Sequence, residues 1–102
     1  MLGVKSELYR DVVVAVHPLR LKIMTLLEEK PKLHINAIAE SINEDRRLVS
    51  YHLSVLEEHG FVRSSFQILK KAASKGRIGR VYELTEKFKK LRPKLAPLLS
   101  EA

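Results

Sequence analysis

Residues 36–60, NAIAESINEDRRLVSYHLSVLEEHG, decide how the chain folds. Ile38, Ala39 and Ile42 recur at the spacing of one helical face, with Asn36 placed to cap that helix. Asn43-Glu44 then read as a turn, and Asp45 caps a second helix whose apolar positions Val49, Leu53 and Leu56 point inward. Asn43 suits the turn because asparagine accepts left-handed geometry. Gly60 stands where a helix end needs the same geometry and stops the second helix. Two helices so closely joined are a helix-turn-helix, spanning about residues 36–59.

Toward the N-terminus, Ser6 to Val16 predicts a first helix with an apolar stripe of Leu8, Val12 and Val16, flanked by Tyr9 and Val13. His17 caps a following helix, and Pro18 suits its first position, where a missing N–H costs nothing. Leu19, Ile23, Leu26 and Leu27 face the core of that helix until Pro31 ends it. Leu33-His34-Ile35 leaves room for a short strand only. Toward the C-terminus, Phe61 to Leu69 and Arg80 to Thr85 predict two antiparallel strands, with Gly76 and Gly79 supplying turn conformations in the basic loop between them. This hairpin, about residues 61–85, is a wing. Thr85 caps a last helix over about 86–100, with a seam of Phe88, Leu91, Leu95 and Leu98 that Pro93 and Pro97 are expected to kink or split. The fold class is mainly α with a β-hairpin wing (α+β), in one domain over residues 1–102.

Composition narrows the function. A chain of 102 residues, 45% hydrophobic, can bury one core. Its net charge is +7 and is polarised: residues 1–59 carry 8 basic and 9 acidic side chains, residues 60–102 carry 11 and 3. That asymmetry suggests a polyanionic partner or an acidic membrane surface. Zero cysteines exclude disulfides, thiolate metal sites and cysteine nucleophiles. No apolar run is long enough to cross a bilayer, and the first residues lack a secretory hydrophobic region, so a cytoplasmic location is expected. Two Asn and one Gln are few, as in heat-stable proteins.

The outward face of the helix 46–59 displays Arg46, Arg47, Ser50, Tyr51 and Ser54, hydrogen-bond donors and a flat aromatic suited to base edges and phosphates. Arg46 and Arg47 occupy its first turn and Glu57 and Glu58 its last, which opposes the helix dipole by about 0.3–1 kcal/mol per charge. A helix tuned for folding alone would carry the reverse. The pattern makes sense if its N-terminal end enters a field of phosphates. Lys70, Lys71, Lys75, Arg77 and Arg80 form a second cationic strip on the wing, able to straddle a nucleic-acid backbone. His52 is open to two readings, a phosphate contact or packing beneath the wing. The four histidines form no HxxxH or HxH pair, so neither metal nor cofactor is expected. There is no Gly-rich phosphate loop, nucleophile elbow or paired-carboxylate motif, so no enzyme is expected. Two alternatives to DNA remain: a winged-helix module gripping an acidic protein, and a basic amphipathic segment, Phe88 to Leu95, lying on an anionic membrane.

The stretches HPLRLKIM (17–24), LHINAIA (33–39), LVSYHLSVL (48–56) and GFV (60–62) resemble the ArsR-type winged-helix repressors, over about residues 8–92. The resemblance implies a homodimer built from the first and last helices, through Leu8, Val12, Val16, Leu91, Leu95 and Leu98. It further implies binding to pseudo-palindromic operators on double-stranded DNA and, often, release by an inducer. Arg46, Arg47, Ser50 and Tyr51 fall on positions that such proteins use on DNA. Many relatives sense metals through cysteines beside the short strand and in the next helix, where this chain has His34 and Asn36; others use Asp and His on the last helix, yet no histidine follows His59.

Overall fold

The computed structural model describes residues 2–68 and 78–100, with side chains described over 6–68 and 78–97. Five helices and three strands follow in the order α1 (Leu2–Ala15), α2 (Pro18–Glu29), β1 (Leu33–His34), α3 (Ile35–Ile42), α4 (Arg46–Glu58), β2 (Val62–Ile68), β3 (Ile78–Leu84) and α5 (Glu86–Ser100). Local chemistry sets most of these boundaries. His17 caps α2, its Nδ1 accepting from the Leu19 N–H at 3.2 Å, and Pro18 takes the first position. Asn43 ends α3 at φ 55°, and Asp45 caps α4 by accepting from the Arg47 N–H at 2.7 Å. Gly60, at φ 79°, closes α4, with the Phe61 N–H reaching back to the Leu56 carbonyl at 2.8 Å. Thr85 accepts from the Lys87 N–H at 3.2 Å at the start of α5.

The core lies where α2, α3, α4 and α5 meet the sheet. Ile23, Met24, Ile38, Val49, Leu53, Leu56, Phe61 and Leu95 are wholly buried. Each such side chain contributes about 1.5–3 kcal/mol. Val49, Leu53 and Leu56 therefore fix which side of α4 remains outside, whatever stands on that side. The sheet order is β1-β3-β2, all antiparallel, with Leu33 opposite Tyr82 and a hairpin register that runs from Val62–Leu84 to Ile68–Ile78. Arg63 donates to Glu83 at 2.6 Å across the outer face of that hairpin.

The structure corrects several expectations. The α1 residues in the core are Val14 and Ala15, while Leu8, Tyr9 and Val13 are exposed and Val12 and Val16 half-buried. An uninterrupted run of aliphatic residues satisfies more than one helical face, so periodicity cannot choose among them. Leu91 and Leu95 are buried in the protomer's own core, which removes them from a dimer seam; the Leu98 side chain lies outside the described residues. With Phe88 they also leave the segment 88–95 no free apolar side for a membrane surface. The α3 cap is His34 rather than Asn36: its Nδ1 accepts from the Asn36 N–H at 3.1 Å, because a residue already extended in β1 doubles as the cap. Pro93 and Pro97 do not divide α5, which runs through both. Lys89, Pro93 and Pro97 lie on its exposed side, where water can reach the carbonyls that lose an N–H partner, while Phe88, Leu91 and Leu95 hold the other side.

Candidate nucleic-acid interface

α4 turns Arg46, Arg47, Tyr51 and Ser54 outward, with Ser50 half-buried beside them. Tyr51 is 58% exposed. The Ser54 hydroxyl donates to the Ser50 carbonyl at 3.0 Å and leaves its lone pairs outward. Leu48 also lies on this surface, 42% exposed. Helical spacing alone does not single it out. Its position between Arg47 and Tyr51 suits contact with a thymine methyl group.

No acidic side chain occupies the first turn of α4 and no basic one its last, so the dipole conflict is real within the helix. At the C-terminal end it is relieved from outside. The Lys87 ammonium of α5 donates to the His59 carbonyl at 2.5 Å, pairs with Asp11 of α1 at 3.0 Å and stands 4.9 Å from the centre of the Phe61 ring. Glu57 accepts from the Ser64 hydroxyl of β2 at 2.8 Å, which ties that end of α4 to the base of the wing. At the first turn, among the described residues, only the capping Asp45 carboxylate offsets the conflict. Arg46 and Arg47 stand there exposed, and no ion pair joins either to an acid among the described residues.

His52 does not belong to this surface. It is 4% exposed, and its Nδ1 accepts from Arg20 Nε at 3.1 Å while its ring meets that of His17 at 4.5 Å between centroids. Arg20 also donates to the Val14 carbonyl, so one guanidinium ties the end of α1 to α4. Neither reading of His52, phosphate contact or packing beneath the wing, matches this position under the start of α2. Burial first, then the positive charge of neighbouring His17 and Arg20, lowers the His52 pKa from its ordinary value.

On the wing, Arg80 is exposed and lies over the Phe66 ring, 5.1 Å from its centre. Lys70, Lys71, Lys75 and Arg77 lie outside the described residues. Among the described residues no group of three or more His, Cys, Asp or Glu side chains could hold a metal ion. No helix there is long and apolar enough to cross a membrane.

Residues 17–64 match the family model described as bacterial regulatory protein, arsR family. Comparison with curated proteins finds no match. Among solved structures, the fold is similar to that of a transcriptional regulator homologue from Pyrococcus horikoshii OT3, at 22% identity and TM-score 0.70, covering 93% of this chain and 96% of that one. It is also similar to the homodimeric winged helix-turn-helix DNA-binding domain of a possible ArsR-family regulator from Mycobacterium bovis, at 18% identity and TM-score 0.70, covering 97% and 83%. A possible transcriptional regulator for arsenical resistance aligns at 26% identity and TM-score 0.61, covering 89% and 94%. The shared fold is one that transcriptional regulators adopt. Residues 17–64 thus resemble the arsR family of regulatory proteins, within a chain whose fold is similar to that of winged helix-turn-helix domains.

Proposed function

We propose that the protein is a sequence-specific regulator of transcription, a repressor, which reads the major groove of double-stranded DNA with α4. Arg46, Arg47, Ser50, Tyr51 and Ser54 contact bases and phosphates, while Arg80 and the cationic residues Lys70, Lys71, Lys75 and Arg77 of the wing hold the backbone. The observation that carries this reading is the first turn of α4, where two exposed arginines oppose the helix dipole and only the capping Asp45 carboxylate offsets them. Repeated selection of bound duplexes from a random-sequence pool tests it. A shared motif should emerge and resist competitor DNA; recovery without any motif would remove the sequence-specific reading.

The functional unit we infer is a homodimer on a pseudo-palindromic site, with two copies of α4 about 34 Å apart on one face of the duplex. Support comes from α1, whose Leu8, Tyr9 and Val13 are exposed in the protomer, and from the homodimeric state of the Mycobacterium bovis domain. Burying these side chains between two copies would take apolar surface out of water that the single chain leaves wet. Replacing Tyr9 and Val13 together with glutamate is expected to convert the dimer to a monomer in sedimentation equilibrium at micromolar concentration, with the helical circular dichroism retained. A wild-type chain that sediments as a monomer, with no pairing on DNA, contradicts the proposal.

A further inference from the structure

The outer half of the wing carries apolar side chains that the protomer does not cover. In the hairpin register Val62 faces Leu84, Ser64 faces Tyr82, Phe66 faces Arg80 and Ile68 faces Ile78, so these eight residues share one face of the ribbon. Near the body that face is core: Val62 and Tyr82 are buried, and Ser64 hydrogen-bonds Glu57 of α4. Farther out the same face continues past the body, with Phe66, Ile68 and Ile78 exposed by 68%, 64% and 70%. A hairpin solvated on both faces would carry polar side chains at these positions. The side turned toward α4 instead holds three large apolar residues and Arg80, whose guanidinium lies over the Phe66 ring.

We propose that this face, Phe66, Ile68, Ile78 and Arg80, is a docking surface for duplex DNA that works mainly through apolar contact with the deoxyribose edges beside the phosphates. Arg80 takes a phosphate, and Phe66 positions it there by stacking under the guanidinium. Charge selects the occupant. Arg80 stands on the face itself, and the chain joining the two strands adds Lys70, Lys71, Lys75 and Arg77 with no acidic residue. Two copies meeting through this face would bring like charges together, whereas a polyanion with apolar sugar walls satisfies both kinds of side chain. The base of the same face joins α4 through the Ser64–Glu57 hydrogen bond. This inference rests on the DNA-binding reading of α4 and adds to it a component of affinity that salt does not weaken.

The experiment measures affinity for a random-sequence duplex pool of about 30 base pairs over a range of salt concentrations. The triple variant Phe66→Thr, Ile68→Thr, Ile78→Thr keeps residues that favour strands, and its melting curve and circular dichroism verify the fold. About a tenfold loss of affinity is expected at every salt concentration, with the slope of log K against log[salt] unchanged, because apolar contacts release no counterions. Arg80→Ala should lower the slope by about 0.9 instead, and Phe66→Leu should show part of that change. A folded triple variant with wild-type affinity overturns the proposal, as does a loss confined to the slope. So does a variant that changes only the sedimentation mass, or only binding to vesicles containing phosphatidylserine. A wild-type chain that binds no duplex at low salt defeats the α4 reading itself, a distinct result.

Discussion

Replacing Arg46 and Arg47 together with alanine is expected to lower affinity for a selected DNA site by about 100-fold or more, while the fold becomes no less stable. Each bidentate contact between arginine and a base is worth about 1–3 kcal/mol of discrimination, and each lost phosphate contact removes about 0.9 from the salt slope. Stability moves the other way. Both arginines are exposed on the first turn of α4, which has no acidic residue to pair them, so their removal relieves about 0.3–1 kcal/mol of dipole repulsion each. Val49, Leu53 and Leu56 stay wholly buried and keep the helix docked. Arg46→Glu sharpens the contrast, with a melting temperature equal or higher and no DNA binding. Thermal melting beside a fluorescence anisotropy titration checks both quantities in one preparation. Unchanged affinity in the double variant would take the reading role from α4, and a large fall in melting temperature would make these arginines structural.

The second large effect concerns His52, and here stability is the readout. His52→Ala removes a buried ring and orphans Arg20 Nε, an expected cost of about 2–4 kcal/mol from lost packing and a lost hydrogen bond. A domain of this size has about 5–10 kcal/mol in all. The pH dependence follows from the same contact. His52 accepts from Arg20 through Nδ1, so it must be neutral there, and its folded pKa lies below the ordinary value of 6.5. Above 6.5 the ring is neutral in both states and its contribution is complete. As pH falls below 6.5 the unfolded chain takes up the proton first, so stability declines until the folded pKa is passed. The melting temperature is therefore expected to fall between pH 7.5 and 5.5. His52→Gln, which keeps an acceptor for Arg20 and cannot titrate, should flatten part of that slope. Equal slopes in wild type and variant would show that this histidine does not govern the acid response.

The helix-turn-helix was legible because its determinants are local. Asp45, Asn43 and Gly60 act within two or three residues of their own position, and Val49, Leu53 and Leu56 leave one way to orient α4. For the same reason the outward placement of Arg46, Arg47, Tyr51 and Ser54 followed from spacing alone. His52 shows where this stops. It lies three residues after Val49 and four before Leu56, a spacing that points inward, yet a histidine on a candidate reading helix invites a phosphate. What decides is Arg20, 32 residues away in sequence, and no local pattern announces that pair. In α1 the run of valines made several faces equally apolar. Aromatic and branched residues marked the wing strands, but not how far the body extends beneath them, and Phe66, Ile68 and Ile78 stand beyond its reach.

The contact between Lys87, Asp11 and the His59 carbonyl has a one-sided consequence for how the sequence can drift. Loss of the Asp11 carboxylate leaves the ammonium with its carbonyl partner and its place over Phe61, so descendants can tolerate that change alone. Loss of the ammonium strands a carboxylate and a helix terminus together. Change at this junction is therefore expected to begin on the acidic partner, with the lysine retained until another cation has arrived.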